Sequence, residues 1–96
     1  MAKFIVTSEA EQDIDDILVY IANDNFDAAM ALYDRFVDIF HILADNPLAG
    51  RERNELKDGW RSFPIGNYLI FYRSWAGNVA ITRILHSSRD LDDLLT

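Results

Sequence analysis

The chain opens on Lys3-Phe4-Ile5-Val6, β-branched and aromatic, which reads as a short strand. The period then changes. Ala10, Ile14, Ile17, Leu18 and Ile21 recur at helical spacing and form one apolar stripe. Ser8 precedes that run and Glu11 lies three residues on, which predicts a capping box in which each side chain satisfies a free backbone N–H. Glu9, Glu11 and Asp13 put negative charge at the positive end of the helix dipole. The helix is expected to end near Asn23. Asn25 then caps a second helix, with Asp27 in its first turn. Ala29, Leu32, Tyr33, Phe36, Phe40 and Leu43 line one face of it, and Ile39 widens the stripe. Asn46-Pro47 stops it, because proline lacks the N–H that the ladder needs. So short a connection forces an antiparallel hairpin, and neither helix buries its stripe without a partner layer.

Residues 48–59 are irregular and charged. Trp60 to Ile65 then reads as a strand with Pro64 near its end, a position that suits an edge. Gly66-Asn67 and Gly77-Asn78 are two-residue turns, since such pairs supply the positive φ of tight hairpins. Between and after them, Tyr68 to Ser74 and Val79 to His86 complete an antiparallel meander. Ser87 or Ser88 is expected to cap a last helical turn carrying Leu91, Leu94 and Leu95. The order is β-α-α-β-β-β-α. That is an α+β class, with a helical hairpin on one face of a mainly antiparallel sheet and one domain over residues 1–96. Strict alternation puts Val79, Ile81, Arg83 and Leu85 on one face, and Ala80, Thr82, Ile84 and His86 on the other. Both faces then carry apolar groups. The face without helices is expected to meet a partner.

Composition narrows the classes. Half the residues are apolar, so the chain is globular rather than disordered. There is no cysteine, which excludes disulfides and thiolate chemistry and agrees with a reducing compartment, so a cytoplasmic location is expected. The N-terminus lacks a signal-peptide pattern, and no apolar run approaches the ~20 residues of a membrane span. The net charge of −7 is unevenly spread. Residues 1–48 carry ten acids and two bases, residues 49–86 three acids and six bases, and residues 87–96 three acids and one base. An acidic helical half sits beside a basic meander. So acidic a chain is a poor direct reader of DNA sequence. Glu11, Asp13, Asp15 and Asp16 point around more than one side of a helix without His or Cys, so no metal and no cofactor are expected.

Ser8, Asp13-Ile14, Ile17 and Tyr20-Ile21 form a pattern that resembles the ParE-family toxins of type II toxin–antitoxin systems. So do Leu43, Asn46-Pro47, Gly50-Arg51, Arg53 and Glu55-Leu56. Gly59, Arg61, Phe63-Pro64, Gly66-Asn67-Tyr68, Ile70 and Tyr72-Arg73 match as well, as do Ile81, Arg83-Ile84-Leu85-His86 and Arg89-Asp90. The resemblance runs from about Phe4 to Leu95. It implies a RelE-like fold, a ParD-like antitoxin in a heteromeric complex, and inhibition of DNA gyrase. The same superfamily contains ribosome-dependent mRNA endonucleases of RelE type, and a toxin that has lost its activity would still bind its antitoxin.

For an endonuclease, cleavage needs a base, an acid and cations against the phosphorane charge. Glu55, Arg61 and His86 are the positions nearest to such a set. Nine basic residues against sixteen acids suit work inside a ribosome poorly. A partner-binding surface is expected instead from the basic and aromatic residues of the second half: Arg51, Arg53, Lys57, Trp60, Arg61, Tyr72, Arg73, Arg83, His86 and Arg89. Such a surface favours an acidic partner segment.

Overall fold

A computed structural model describes residues 3–88. The elements are β1 (Phe4–Val6), α1 (Ser8–Ala22), α2 (Phe26–Asp45), β2 (Arg51–Glu52), β3 (Arg61–Ile65), β4 (Tyr68–Trp75) and β5 (Asn78–His86). The five strands form one sheet in the order β1-β5-β4-β3-β2. β1 runs parallel to β5, and the other pairs are antiparallel. The expected α+β class is correct. The irregular stretch after Pro47 gains a strand that its charged sequence does not announce: Arg51 and Glu52 pair with Ser62 and Arg61. The expected C-terminal turn with Leu91, Leu94 and Leu95 lies outside the described residues, as does Arg89.

β1 is three residues long and covers only Val79–Ile81 of β5. Beyond Ile81 the outer edge of β5 meets no further strand among the described residues, and the start of α1 takes its place. The Thr7 N–H donates to the Ile81 carbonyl at 3.0 Å, and the Thr7 hydroxyl donates to the Thr82 carbonyl at 3.1 Å. The same hydroxyl oxygen accepts from the Ala10 N–H at 3.2 Å. Thr7 is therefore the N-cap, one residue before the expected Ser8. Ala10 takes the third helical position, so there is no capping box, and the Ser8 hydroxyl turns to Glu9. The docking of Thr7 on β5 decides the helix start. Asn25 does cap α2, accepting from the Ala28 N–H at 3.0 Å.

Phe36, Phe40 and Leu43 of α2, with Ala10 and Ile14 of α1, pack on Ile65, Ile70, Tyr72, Val79, Ile81 and Ile84 of the sheet. Phe36 also meets Tyr68 edge-on at 6.1 Å between ring centroids, and Phe4 meets Phe40 at 5.4 Å. Each fully buried Val, Leu, Ile or Phe side chain among these contributes roughly 1.5–3 kcal/mol relative to exposure.

The alternation expected for β5 is overturned after Ile81. Phe71 of β4 pairs with Arg83 and Tyr72 pairs with Ile81, which leaves Thr82 as an extra residue. A β-bulge of this kind reverses the facing of everything beyond it. Ile84 thereby joins Val79 and Ile81 beneath the helices. Leu85 turns to the opposite face and packs with Phe71. Buried Thr82 is satisfied by donating its hydroxyl to the Phe71 carbonyl at 3.1 Å.

The first hairpin turn is Gly66-Asn67, as expected, because Ile65 pairs with Tyr68. The second moves back by one residue. Trp75 pairs with Asn78, so the loop is Ala76-Gly77, with φ of 49° and 79°. Positive φ at both central positions suits the strand twist of a two-residue hairpin.

Candidate partner-binding surfaces

Most of the candidate basic residues are held within the fold. Arg61 donates to the Gly50 carbonyl at 2.7 Å and meets Glu52 at 3.3 Å. Arg53 donates its Nε–H to the Ser62 hydroxyl at 2.8 Å and meets Glu55 at 3.5 Å. Arg83 reaches the Asp13 carboxylate through two contacts, at 2.7 and 3.0 Å. That ion pair raises the Arg83 pKa above its ordinary value.

Tyr72 is 1% exposed, which removes it from any partner surface. Its hydroxyl oxygen accepts from the Gly50 N–H at 2.7 Å and donates its proton to the Pro47 carbonyl at 3.0 Å. The hydroxyl thus pins the chain leaving α2 against β4. Burial pushes the Tyr72 pKa above its usual 10.0, against the lowering effects of the Gly50 N–H and Arg61. The unfolded chain therefore ionises this phenol first. Stability linked to Tyr72 is full below pH 10 and falls as the pH rises through the folded pKa. Urea unfolding between pH 9 and 11 is expected to show this decline, with a smaller slope in Tyr72→Phe. Equal slopes in the two proteins would contradict the burial of this hydroxyl.

Arg51, Lys57 and Arg73 are exposed. Lys57 lies 5.7 Å from the centre of the Trp60 ring, and Trp60 itself leans on Phe71. Leu56 and Trp60 thus bring the chain's own loop over part of the face expected to need a partner. His86, at the exposed end of β5, meets Tyr68 edge-on, and its Nδ1 lies 2.7 Å from the Ser88 hydroxyl.

Glu55, Arg61 and His86 are not brought together. Arg61 pairs with Tyr72, whereas His86 pairs with Tyr68 on the far side of the intervening strand. Four residues along β4 separate the two rows, roughly 13 Å at ~3.3 Å per residue. Glu55 sits on the loop before β3, beside Arg53. The Arg61 guanidinium is spent on Gly50 and Glu52. A single phosphate does not span this arrangement. Among the described residues, no three His, Asp or Glu side chains converge as metal ligands. No helix among them is long and apolar enough to cross a membrane.

Two open grooves flank α1. The larger, about 670 Å³, lies between α1 and the end of β5, where Tyr20, Tyr68, His86 and the Asp13–Arg83 pair meet. The smaller, about 330 Å³, lies between α1, α2 and β1. Among the described residues the large exposed apolar side chains are mostly helical: Val19, Tyr20, Phe26, Met30, Tyr33 and Ile42, against Ile5 and Trp75 on the sheet and Leu48 in the loop after α2. The sequence reading missed this helical surface. Its signal was present in the spacing of Phe26, Met30, Tyr33 and Val37, a second stripe beside the core one.

A helical hairpin laid over a five-stranded mixed sheet defines an α+β protein of RelE-like fold. The solved structure titled "Chromosomal ParDE TA system from P. aeruginosa" shares that fold at a TM-score of 0.74 and 22% identity, over 90% of this chain and 96% of the other. The family described as "ParE toxin of type II toxin-antitoxin system, parDE" matches residues 4–91, and the chain belongs to it. "Toxin ParE3" of Caulobacter vibrioides is 30% identical over 95% of this chain and 92% of its own. "Toxin ParE1" of Mycobacterium tuberculosis is 36% identical over 51% of each.

Proposed function

We propose that this chain acts as the toxin of a ParDE-type pair, neutralised by a ParD-like antitoxin and inhibiting DNA gyrase when released. Family membership over residues 4–91 supports the toxin and the antitoxin partner. The dispersal of Glu55, Arg61 and His86 over separate parts of the sheet is the observation that favours inhibition by binding over catalysis. A nuclease needs its acid, base and cation within hydrogen-bond reach of one phosphate.

Purified gyrase and relaxed plasmid test this reading. The chain is expected to block supercoiling and to trap a cleaved DNA complex, while cellular mRNA stays intact by primer extension after induction. Discrete message cuts with normal supercoiling would replace gyrase inhibition with endonuclease activity. Neither effect, together with harmless overexpression, would leave a chain that only binds its antitoxin.

A further inference from the structure

We infer that the sheet face turned away from the helices binds single-stranded DNA without reading its sequence. This goes beyond gyrase inhibition and does not depend on it.

Register fixes which side chains share that face. Phe71 and Leu85 pack there beneath Trp60 and Leu56. Arg73 and Trp75 follow Phe71 at intervals of two along β4, so they stand on the same face. Arg51 pairs with Ser62, and Ser62 pairs with Phe71, which places Arg51 there too. The Arg53 N–H donates to the Trp60 carbonyl at 2.8 Å, so the β2–β3 ladder runs one residue past Glu52 and Arg61. The next step of the β3–β4 register then sets Trp60 opposite Arg73. Two tryptophans thus flank one arginine, Trp60 across the strands and Trp75 along its own. Trp75 is 44% exposed, and Lys57 brings a further cation to within 5.7 Å of the Trp60 ring centre.

The charge on this face is uncommitted. Residues 49–86 carry three acids, of which Glu52 is paired with Arg61 and Glu55 with Arg53. Arg51, Lys57 and Arg73 are exposed and have no ion-pair partner among the described residues. From strand spacing, the backbones of Arg51 and Arg73 lie roughly 12 Å apart. Cations spread along a face rather than gathered about one point suit a polyanion. The ten acids of residues 1–48 belong to the helical hairpin, on the other side of the sheet. Packed layers lie ~10 Å apart, and the screening length at physiological salt is ~8 Å, so the acidic layer weakens attraction at the outer face only modestly.

The exposed ring selects a single strand. Unpaired bases stack on an aromatic side chain whatever their identity, while neighbouring cations track the phosphates. A duplex keeps its bases stacked on one another and offers Trp75 none. Recognition of RNA as such needs groups that bind its 2′-hydroxyl. Around this face such groups are already spent: the Ser62 hydroxyl accepts from Arg53, the Thr82 hydroxyl donates to the Phe71 carbonyl, and the Asn54 side chain accepts from the Gly59 N–H. Nothing there demands a ribose, so DNA is the strand assigned.

Titration of the purified full chain with a labelled oligothymidylate of about 12 nucleotides tests the face. Three phosphate contacts give a slope of about −2 for log affinity against log salt, or about twentyfold weaker binding between about 50 and 200 mM. Arg51→Gln/Arg73→Gln is expected to weaken binding and to flatten that slope to about −0.7. Trp75→Leu keeps an apolar side chain but no π-face. It is expected to lose about fivefold or more with the slope unchanged, because stacking releases no counterions. Arg35→Gln, on exposed α2, is expected to change neither. Circular dichroism and urea midpoints check that each variant is folded. The same oligothymidylate annealed to its complement is expected to bind more weakly, and a glutamate peptide of equal charge not to compete. No binding by wild type would overturn the proposal, as would equal losses from Arg35→Gln and the double variant. Tighter binding of duplex would remove stacking, and tighter binding of oligouridylate would remove DNA as the ligand. Equal competition by the glutamate peptide would make the face a site for an acidic polypeptide instead. Gyrase is absent throughout, so each of these results leaves gyrase inhibition to its own assay.

Discussion

Gly50→Ala is expected to destabilise the protein by about 3 kcal/mol or more, from overpacking of ~1–3 kcal/mol and the loss of one buried and one part-buried hydrogen bond at ~1 kcal/mol each. A Cβ at position 50 would lie 2.5 Å from the Tyr72 hydroxyl oxygen, 2.7 Å from the Tyr72 ring edge and 2.7 Å from the Ser62 carbonyl. None of these can yield cheaply. Ser62 contributes backbone from β3 and is 2% exposed. Tyr72 is locked between Gly50 and Pro47. Moving the ring leaves the Gly50 N–H and the Pro47 carbonyl without their partner, and the Arg61 contact to the Gly50 carbonyl shifts with them. Urea unfolding at neutral pH measures the loss as a fall in midpoint with little change in slope. Adding Tyr72→Phe is expected to rescue only part of it, because the ring edge and the Ser62 carbonyl still obstruct. A loss below about 1 kcal/mol, small against typical overpacking costs, would contradict the close approach of Gly50 to β4.

Asp13→Ala is expected to cost about 3 kcal/mol, because hydrogen bonds to a charged group are worth ~1.5–3 kcal/mol and both partners of Asp13 are left behind. The Asp13 carboxylate accepts from the Ile84 N–H at 3.0 Å as well as from Arg83. It does for β5 what a neighbouring strand would do, at the point where β1 has ended. The Asp13 side chain is 13% exposed and that of Arg83 26%, so water replaces these contacts only in part. Asp13→Asn keeps an acceptor for Ile84 and is expected to recover about half of the loss, since neutral hydrogen bonds are roughly half as strong. Arg83→Met is expected to cost less than Asp13→Ala, because it leaves the Ile84 contact in place. Amide exchange at Ile84 reads the same device locally: protection is expected to fall in Asp13→Ala and to persist in Arg83→Met. An Asp13→Ala protein as stable as wild type would show that the end of β5 needs no such support.

The two contacts explain how the sequence reading went right on the fold and astray on the surface. The amphipathic periods, the Asn25 cap and the Asn46-Pro47 stop are local features. Each acts through residues within one or two turns, and each was legible. Asp13 and Gly50 stood in the motifs of the family resemblance, but nothing local marks a carboxylate as the partner of an N–H about seventy residues away. Arg53, Arg61 and Arg83 looked like free positive charge because their partners Ser62, Glu52 and Asp13 come from other elements. Tyr72 looked like a surface aromatic because the backbone groups that its hydroxyl binds lie more than twenty residues upstream.

By itself, then, the sequence determined the helical hairpin, the meander and the charge division between them, because hydrophobic period, caps and turn residues act over short stretches of chain. It also carried the family, through motifs spread along most of its length. Only the tertiary structure decided which faces are free. The bulge at Thr82 reverses the end of β5, and the shortness of β1 hands its last hydrogen bonds to Thr7 and Asp13. Packing spends one stripe of α2 on the sheet and leaves the other in water. A side chain's exposure depends on what the rest of the chain lays against it, and that is a property of contacts between residues far apart in sequence.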